Sequence, residues 1–286
     1  VITALPLYHI FALTVNCLAM LKIGAHNVLI TNPRDMKAFI GDLAKKRFTV
    51  ITGVNTLFNG LLNQEAFGKL DFSGLKIAVG GGMAVQKATA EKWKSVTGVP
   101  LAEGYGLTET APVATCNPID GTERIGTIGM PLPNTEVMIA DDAGNPVALG
   151  ERGEILIKGP QVMRGYWNRP EETALVMHGD WFKSGDIGVM DADGYTKIVD
   201  RKKEMILVSG FNVYPNEVED VVASCPGVLE VGVIGMPDSK PTEKVVAYVV
   251  KKDQAITEEK VIEHCKEFLT NYKVPKEVFF TDELPK

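Results

Sequence analysis

A short apolar strand runs directly into three glycines in the segment Lys76-Ile77-Ala78-Val79-Gly80-Gly81-Gly82. Upstream of it, the hydrophobic periodicity predicts helices over residues 35–46 and 57–63, with a strand over residues 49–52 between them. Strands that alternate with helices form βαβ units. This part of the chain is therefore predicted to have an α/β fold with a largely parallel sheet.

The pattern changes from Ile125 onward. Short apolar segments at residues 135–140 and 154–158 are each followed by a turn sequence, Asp-Asp-Ala-Gly-Asn-Pro in the first case and Gly-Pro in the second. Closely spaced short strands broken by such turns are typical of β-rich structure. We predict a β-rich subdomain attached to the parallel sheet.

A second change occurs at Asp200, where the charged run Asp-Arg-Lys-Lys-Glu begins. The elements predicted after it are strands at residues 205–208, 228–234 and 244–250, and helices at residues 216–223 and 258–269. These elements form one compact α+β unit. We therefore predict a large domain over residues 1–199 and a small domain over residues 200–286, with the boundary at Asp200.

The chain begins at Val1, without an initiator methionine or a signal-peptide pattern, inside an apolar stretch that predicts a strand over residues 1–7. We expect it to be part of a longer polypeptide. The most apolar segment, residues 11–23, is interrupted by three polar residues and is shorter than the ~20 residues that span a bilayer. We predict that it forms a buried helix.

The composition limits the function further. The 286 residues carry 36 acidic and 30 basic side chains, for a net charge of −6 and a pI near 5.4. Without an overall basic field, a generic nucleic-acid binder is disfavoured. Four widely spaced cysteines with no CxxC pair predict reduced thiols and a cytoplasmic location. They are Cys17, Cys116, Cys225 and Cys265.

Residues 103–110, Glu-Gly-Tyr-Gly-Leu-Thr-Glu-Thr, give the strongest local signal for a binding site. Two glycines around an aromatic residue let the backbone approach a planar ligand. Thr108 supplies a hydroxyl for a phosphoryl oxygen, and Glu109 supplies a carboxylate for Mg²⁺. A glycine turn before a helix N-terminus explains the same residues equally well, because Thr and Glu favour first turns.

Three further segments have both a functional and an ordinary interpretation. The glycines at 80–82 let a ligand approach the carboxyl end of the sheet, or they form a plain strand-to-helix turn. Asp186, beside a glycine, suits a ribose diol, or it caps its own turn. Arg201, in the basic run after Asp200, suits a polyphosphate, or belongs to a solvated charge cluster.

Other chemistries lack their sequence signals. The four histidines show no metal-ligand spacing, and His9 lies in an apolar segment typical of a core histidine. The chain contains no GxSxG motif, no phosphate-loop lysine motif and no cysteine in a nucleophile signature. Hydrolysis that depends on a serine or cysteine nucleophile is therefore disfavoured.

Taken together, these segments resemble the adenylate-forming superfamily and, within it, the bacterial long-chain fatty acid–CoA ligases. Eight ordered motifs over essentially the whole chain carry the resemblance. They are LPLYH (5–9), GGGM (80–83), GYGLTET (104–110), GYWNRP (165–170), WFKSGD (181–186), DRKK (200–203), SGFNVYP (209–215) and YKVP (272–275). The resemblance implies part of a large adenylate-forming domain followed by a small α+β domain.

The resemblance also implies a two-step reaction. ATP activates a fatty carboxylate to an acyl-adenylate with loss of pyrophosphate, and the CoA thiol then displaces AMP. It implies ATP, CoA and a long-chain fatty acid as ligands, Mg²⁺ as cofactor, no nucleic acid and a cytoplasmic enzyme. Peripheral contact with the inner face of the membrane and a homodimer both stay open, as does the acyl chain length.

The resemblance assigns roles to individual residues. The residues implied to contact adenine are Gly80, Gly81, Gly82, Gly104, Tyr105 and Gly106. Thr108 would contact the α-phosphate and Glu109 would hold Mg²⁺. Asp186 would bind the ribose hydroxyls, while Arg201 and Lys203 assist around the nucleotide, with Lys203 counted among the catalytic residues. Asp200 would be the hinge of the small domain, and Gly210 would help to form the pantetheine tunnel. Residues 55–58 match the acyl-tunnel region, or they are core.

Two family features are missing. No Ser/Thr/Gly-rich phosphate loop occurs, and the chain stops at Leu284-Pro285-Lys286, before the family's C-terminal adenylation lysine. We expect this polypeptide alone to retain much of the adenine and ribose pocket but to be inactive. The alternative is a catalytically incomplete nucleotide-binding or interaction module, and luciferase-like oxidation or carrier loading are further alternatives.

Overall fold

The structure is a computed structural model that describes residues 1–238 and 242–284. The chain divides into two compact units. Unit 1 contains Val1–Ser184 and Val189–Ile198, and unit 2 contains Gly185–Gly188 and the chain from Val199 onward. The predicted absence of the family's C-terminal adenylation lysine rests on the end of the chain. The last two residues there, Pro285 and Lys286, lie outside the described residues.

A seven-stranded sheet forms the first part of unit 1, in the order β2-β1-β3-β4-β5-β6-β7. Its strands are β1 (Ile2–Thr3), β2 (Val28–Leu29), β3 (Val50–Gly53), β4 (Ile77–Gly80), β5 (Leu101–Gly106), β6 (Val113–Cys116) and β7 (Met130–Pro131). The strands from β2 to β5 pair in parallel, and β6 and β7 are antiparallel. The predicted α/β class with a largely parallel sheet is confirmed.

Helices connect the parallel strands. They are a π-helix (Ala12–Ala19) continued by α1 (Met20–Lys22), α2 (Met36–Ala44), α3 (Asn55–Leu62) and α4 (Lys87–Thr97), with a 3₁₀ turn at Phe67–Lys69. The Asp35 side chain accepts a hydrogen bond from the Ala38 amide and starts α2. Trp93 of α4 is fully buried and meets the Phe58 ring edge-on, with ring centroids 4.9 Å apart.

The β-rich subdomain is confirmed. Its five strands have the order β10-β11-β9-β8, and β12 pairs with β11. They are β8 (Glu136–Ala140), β9 (Gly153–Lys158), β10 (Met177–His178), β11 (Trp181–Met190) and β12 (Thr196–Arg201), with α5 (Pro170–Val176) before β10. Ile155, Ile157 and Phe182 are buried in its core. Leu156, on the opposite side of β9, is buried as well, so both faces of this strand are covered.

Unit 2 is an α+β unit with its own core. Its elements are β13 (Ile206–Val208), β14 (Phe211–Val213), α6 (Pro215–Ala223), β15 (Val228–Pro237), β16 (Glu243–Lys251), α7 (Glu258–Phe268) and β17 (Glu277–Thr281). β16 pairs antiparallel with β15 and parallel with β17. Val218 and Val261, from α6 and α7, are completely buried in this core.

The predicted burial of residues 11–23 is wrong, although the segment is helical. Leu18 and Leu21 are each 57% exposed and Ile23 is 75% exposed. The helix instead turns the polar Asn16 towards the sheet, where its amide donates to the Thr3 hydroxyl over 3.0 Å and its Oδ1 accepts from Thr52 over 2.9 Å. These hydrogen bonds satisfy a fully buried amide, so the leucines face outward.

The strand predicted over residues 1–7 is also shorter than expected. Only Ile2–Thr3 pairs with neighbouring strands, and the chain turns where the His9 amide donates to the Pro6 carbonyl. Proline lacks an amide donor, which ends regular pairing. None of the helices among the described residues has the length and apolar character needed to cross a membrane.

Candidate functional site

Two glycine segments meet at the carboxyl edge of the parallel sheet. β4 and β5 are neighbours, with Gly80 paired to Glu103, so the glycines that follow β4 lie beside those that end β5. A Cβ atom built on Gly81 would lie 3.0 Å from the Gly104 carbonyl oxygen and 3.2 Å from the Phe11 ring. Any side chain at Gly81 would crowd this edge, where α/β folds usually bind their ligands.

Two side chains fasten the loop between β4 and α4. The Val85 amide donates to Glu103 Oε1 over 3.1 Å, and the Gln86 amide donates to Asn55 Oδ1 over 3.0 Å. Both amides precede the first turn of α4 and have no helical partner. The loop that carries Gly81 and Gly82 is thereby tied to β5 and to the first turn of α3. No local sequence pattern predicts a role for Glu103.

Glu103 is a carboxyl group held away from water. Burial raises its pKa from 4.5 to about 7, while the hydrogen bond from the Val85 amide acts in the opposite direction. It lines a small cavity with Asn117 and Glu123. Near pH 7, Glu103 therefore changes between its neutral and its charged form next to the glycine segments.

A tight turn follows β5. Gly106 ends the strand, and Thr108–Thr110 forms a single 3₁₀ turn. The buried Thr110 hydroxyl accepts the Leu107 amide over 2.9 Å, which fixes the turn. Thr108 is exposed and Glu109 is partly exposed, so both predicted site residues can reach a ligand. The binding-loop and turn interpretations of this segment are thus compatible.

A residue far along the chain holds Glu109. The Tyr166 hydroxyl donates to Glu109 Oε1 over 2.7 Å, and the Met163 amide donates to the Glu109 carbonyl over 2.8 Å. Burial raises the pKa of Tyr166 to about 12, and the hydrogen bond and charge of Glu109 act in the same direction. Tyr166 belongs to the GYWNRP motif, but nothing in that motif indicates a contact across 57 residues.

Four predicted residues belong to unit 2. Asp186 is buried on β11, and the Arg201 Nε atom lies 3.8 Å from its Oδ1 atom. Lys203 is exposed in a 3₁₀ turn at Lys202–Glu204. Gly210 forms the two-residue turn between β13 and β14 together with Ser209, with φ values of 86° and 50°. Left-handed conformations at both positions are typical of a type I′ hairpin.

Asp200 connects the end of β12 to α6. Its carboxylate accepts the Arg201 amide over 2.7 Å and the Asn216 amide over 2.9 Å, which satisfies a free amide in the first turn of α6. Burial raises its pKa, and these two hydrogen bonds oppose the shift. The hinge role of Asp200 stays a prediction.

The donor set at Glu109 suits a magnesium ion that is held mainly by a nucleotide. Within residues 1–238 and 242–284, no cluster of three or more His, Cys, Asp or Glu side chains could hold a metal ion. Tyr166 donates to Glu109 Oε1, which leaves Oε2 as the carboxylate oxygen with room for a further ligand. Mg²⁺ commonly binds one or two carboxylates and completes its shell with phosphate oxygens and water.

The structure therefore brings eight predicted residues together in unit 1 and places the rest in unit 2. The eight are Gly80, Gly81, Gly82, Gly104, Tyr105, Gly106, Thr108 and Glu109, at the ends of β4 and β5. In unit 2, Asp186 and Arg201 lie close together. Which ligands these residues bind stays a prediction.

Two family models match the chain. The AMP-binding enzyme model matches residues 1–167, and the AMP-binding enzyme C-terminal domain model matches residues 217–286. A long-chain-fatty-acid–CoA ligase of Yersinia pestis is 58% identical over all 286 residues, and one of Bacillus subtilis is 38% identical. The chain spans about half the length of these relatives, 51% in both cases.

Solved structures share the fold. ATP-bound MatB from Rhodopseudomonas palustris matches with a TM-score of 0.86 and 34% identity, covering all of this chain and 56% of that one.

Proposed function

The chain belongs to the AMP-binding enzyme family, and on this premise we propose that the polypeptide that carries it joins long-chain fatty acids to CoA. In the first step a carboxylate oxygen attacks the α-phosphorus of ATP, and the bond to pyrophosphate breaks. In the second step the CoA sulfur attacks the acyl carbon, the bond to AMP breaks and the thiol proton passes to water. The substrate class follows the names of the 54–58% identical relatives.

The observation that supports this proposal best is the meeting of the two glycine segments, followed at once by Thr108 and Glu109. A backbone without side chains at Gly81 and Gly104 lets adenine approach the sheet edge. A hydroxyl and a carboxylate then follow within five residues of Gly104. Such an arrangement suits a nucleotide whose base lies on the glycines and whose phosphates lie on the turn.

Each residue of the unit 1 site has a proposed role. The adenine contacts are Gly80, Gly81, Gly82, Gly104, Tyr105 and Gly106. Thr108 donates to an α-phosphate oxygen, where negative charge grows in the transition state. Glu109 would hold Mg²⁺, and the ion, when bound, would neutralise charge on the phosphate oxygens. Fixed donors of this kind act without reorganisation during the reaction.

The residues of unit 2 have complementary roles in the proposal. Asp186 accepts hydrogen bonds from the ribose hydroxyls. Arg201 and Lys203 stabilise the bound nucleotide, and the Arg201 guanidinium lies 3.8 Å from Asp186. Asp200 is the hinge of a small domain over residues 200–286. Gly210, at the tip of an exposed hairpin, borders the passage for pantetheine. A moving domain would let one site catalyse two half-reactions and shield the adenylate from water.

The proposal includes a cytoplasmic enzyme with no nucleic-acid partner. A long-chain substrate is an amphiphile, so we also propose peripheral contact with the inner face of the membrane, to be measured by sedimentation with anionic vesicles. A homodimer is to be checked by analytical ultracentrifugation.

The test is product formation by the full-length gene product, with palmitate and with acetate as the short-chain control. Without CoA, we expect a single burst of pyrophosphate that depends on palmitate. With CoA, we expect continuous formation of AMP. Absence of both products with every acid, alongside retained ATP binding, would favour the nucleotide-binding module instead.

A further inference from the structure

The segment that follows β9 holds the Glu109 turn at several points. The Met163 amide and the Tyr166 hydroxyl bind the backbone and the side chain of Glu109. Gln161 Nε2 donates to the Val113 carbonyl over 3.2 Å, on the strand that follows the turn. The turn is therefore positioned by the β-rich subdomain as well as by its own strand.

Tyr166 is itself fixed by the start of α5. Its amide donates to the Thr173 Oγ1 over 2.9 Å, and the Thr173 hydroxyl donates to the Arg169 carbonyl over 2.8 Å. A Cβ atom on Gly165 would lie 2.9 Å from the Thr173 side chain, so the backbone before Tyr166 packs closely on the helix. These contacts with α5 fix the backbone that carries the Tyr166 phenol.

The direction of the phenol decides which carboxylate oxygen remains for a ligand. A hydrogen bond to Oε1 restricts rotation of the Glu109 carboxylate and leaves Oε2 as the open acceptor. Groups that orient a metal-binding carboxylate commonly affect metal affinity although they do not touch the metal.

We propose that Tyr166 is a positioning residue that orients Glu109 Oε2 towards the divalent cation of the bound nucleotide. This inference rests on the proposed function, which gives Glu109 its role. It adds a residue from the β-rich subdomain to the nucleotide site.

The test replaces Tyr166 with phenylalanine in the full-length gene product, which removes one oxygen and keeps the ring. The half-saturating Mg²⁺ concentration for palmitate-dependent pyrophosphate release should rise about 10-fold. The rate at saturating Mg²⁺ should stay close to that of the unaltered protein.

Tyr195→Phe is the matched control. Tyr195 also lies in unit 1 and donates its hydroxyl to a backbone carbonyl, that of Thr122, over 2.8 Å. Tyr195→Phe removes the same phenolic oxygen, but from a tyrosine whose hydroxyl bonds to Thr122 and not to Glu109. An equal Mg²⁺ shift in both variants, or no shift in Tyr166→Phe, would overturn the proposal.

A binding measurement separates this proposal from the proposed function. ATP affinity is measured by calorimetry with Mg²⁺ and with EDTA. Tyr166→Phe should weaken binding only in the presence of Mg²⁺, and Thr173→Val should produce a smaller change of the same kind. An enzyme that makes no product but shows this pattern would refute the ligase function and retain the positioning role. Equal weakening in Mg²⁺ and EDTA would refute the positioning role.

Discussion

Gly106 is a position where the backbone leaves no room for a side chain. A Cβ atom there would lie 1.7 Å from the Pro112 carbonyl oxygen. At Gly104, two residues earlier, the nearest atom would be 3.6 Å away, which is ordinary contact. We expect Gly106→Ala to lower the free energy of unfolding by about 3 kcal/mol, and Gly104→Ala to change it by less than about 1 kcal/mol. Urea denaturation of the two variants checks this, and equal stability would contradict the geometry.

Glu103 makes stability depend on pH. Its folded-state pKa of about 7 lies above the ordinary 4.5, so the folded state binds the proton more tightly and stability falls as the pH rises from about 4.5 to about 7. Glu103→Gln keeps an acceptor for the Val85 amide without the charge. We expect it to stabilise the chain by about 3 kcal/mol at pH 8 and by less than about 1 kcal/mol at pH 5.

The measurement is urea denaturation of this variant at both pH values, beside Glu65→Gln. Glu65 is an exposed carboxylate, so its amide variant should show no comparable dependence on pH. A constant difference between Glu103→Gln and the unaltered chain would show that Glu103 does not titrate in this range.

Individual site residues could be predicted only where the residues that act together are neighbours in the sequence. Glycines around Tyr105 and a carboxylate at Glu109 are recognisable because adjacent residues form one loop. Tyr166 and Asn55 could not be assigned their contacts, since each reaches a loop more than 30 residues away. Such contacts depend on how strands and helices pack, which no local pattern contains.

Among secondary-structure elements, hydrophobic periodicity located most of the helices but only eight of the seventeen strands in the described residues. It also did not show which side of a helix faces the sheet. The π-helix with α1 is the clearest case, because it buries the polar Asn16 and leaves Leu18 and Leu21 exposed. A polar side chain with two hydrogen-bond partners on the sheet can be buried at little cost. Those partners, Thr3 and Thr52, are not visible from the helix sequence itself.

The β13–β14 hairpin depends on its turn. Gly210 has φ of 86°, a conformation that costs alanine about 1 kcal/mol, so Gly210→Ala should destabilise the chain by that amount. Gly41 lies inside α2 with open space around it, and Gly41→Ala should stabilise the chain by about 0.5–1 kcal/mol. Thermal unfolding of the two variants should show shifts of opposite sign, and a shift of the same sign would contradict this assignment.

At the scale of the whole molecule, the sequence predicted an α/β part, a β-rich part and a small α+β part, and the structure contains all three. The domain boundary predicted at Asp200 came from a change of charge and of periodicity at that point, and it stays a prediction. Unit 2 begins at Val199 but also contains Gly185–Gly188 from β11. A segment that joins a unit from elsewhere in the sequence could not be predicted, because no boundary signal marks it.

Adenylation at this site is tested most directly by fatty-acid-dependent exchange of labelled pyrophosphate into ATP, measured for the full-length gene product and for Glu109→Gln and Glu65→Gln. We expect exchange that requires palmitate and does not require CoA. Glu109→Gln should lower the exchange rate at least about 100-fold, and Glu65→Gln should leave it unchanged. Exchange without a fatty acid, or undiminished exchange in Glu109→Gln, would contradict the assignment of adenylation to the edge formed by β4 and β5.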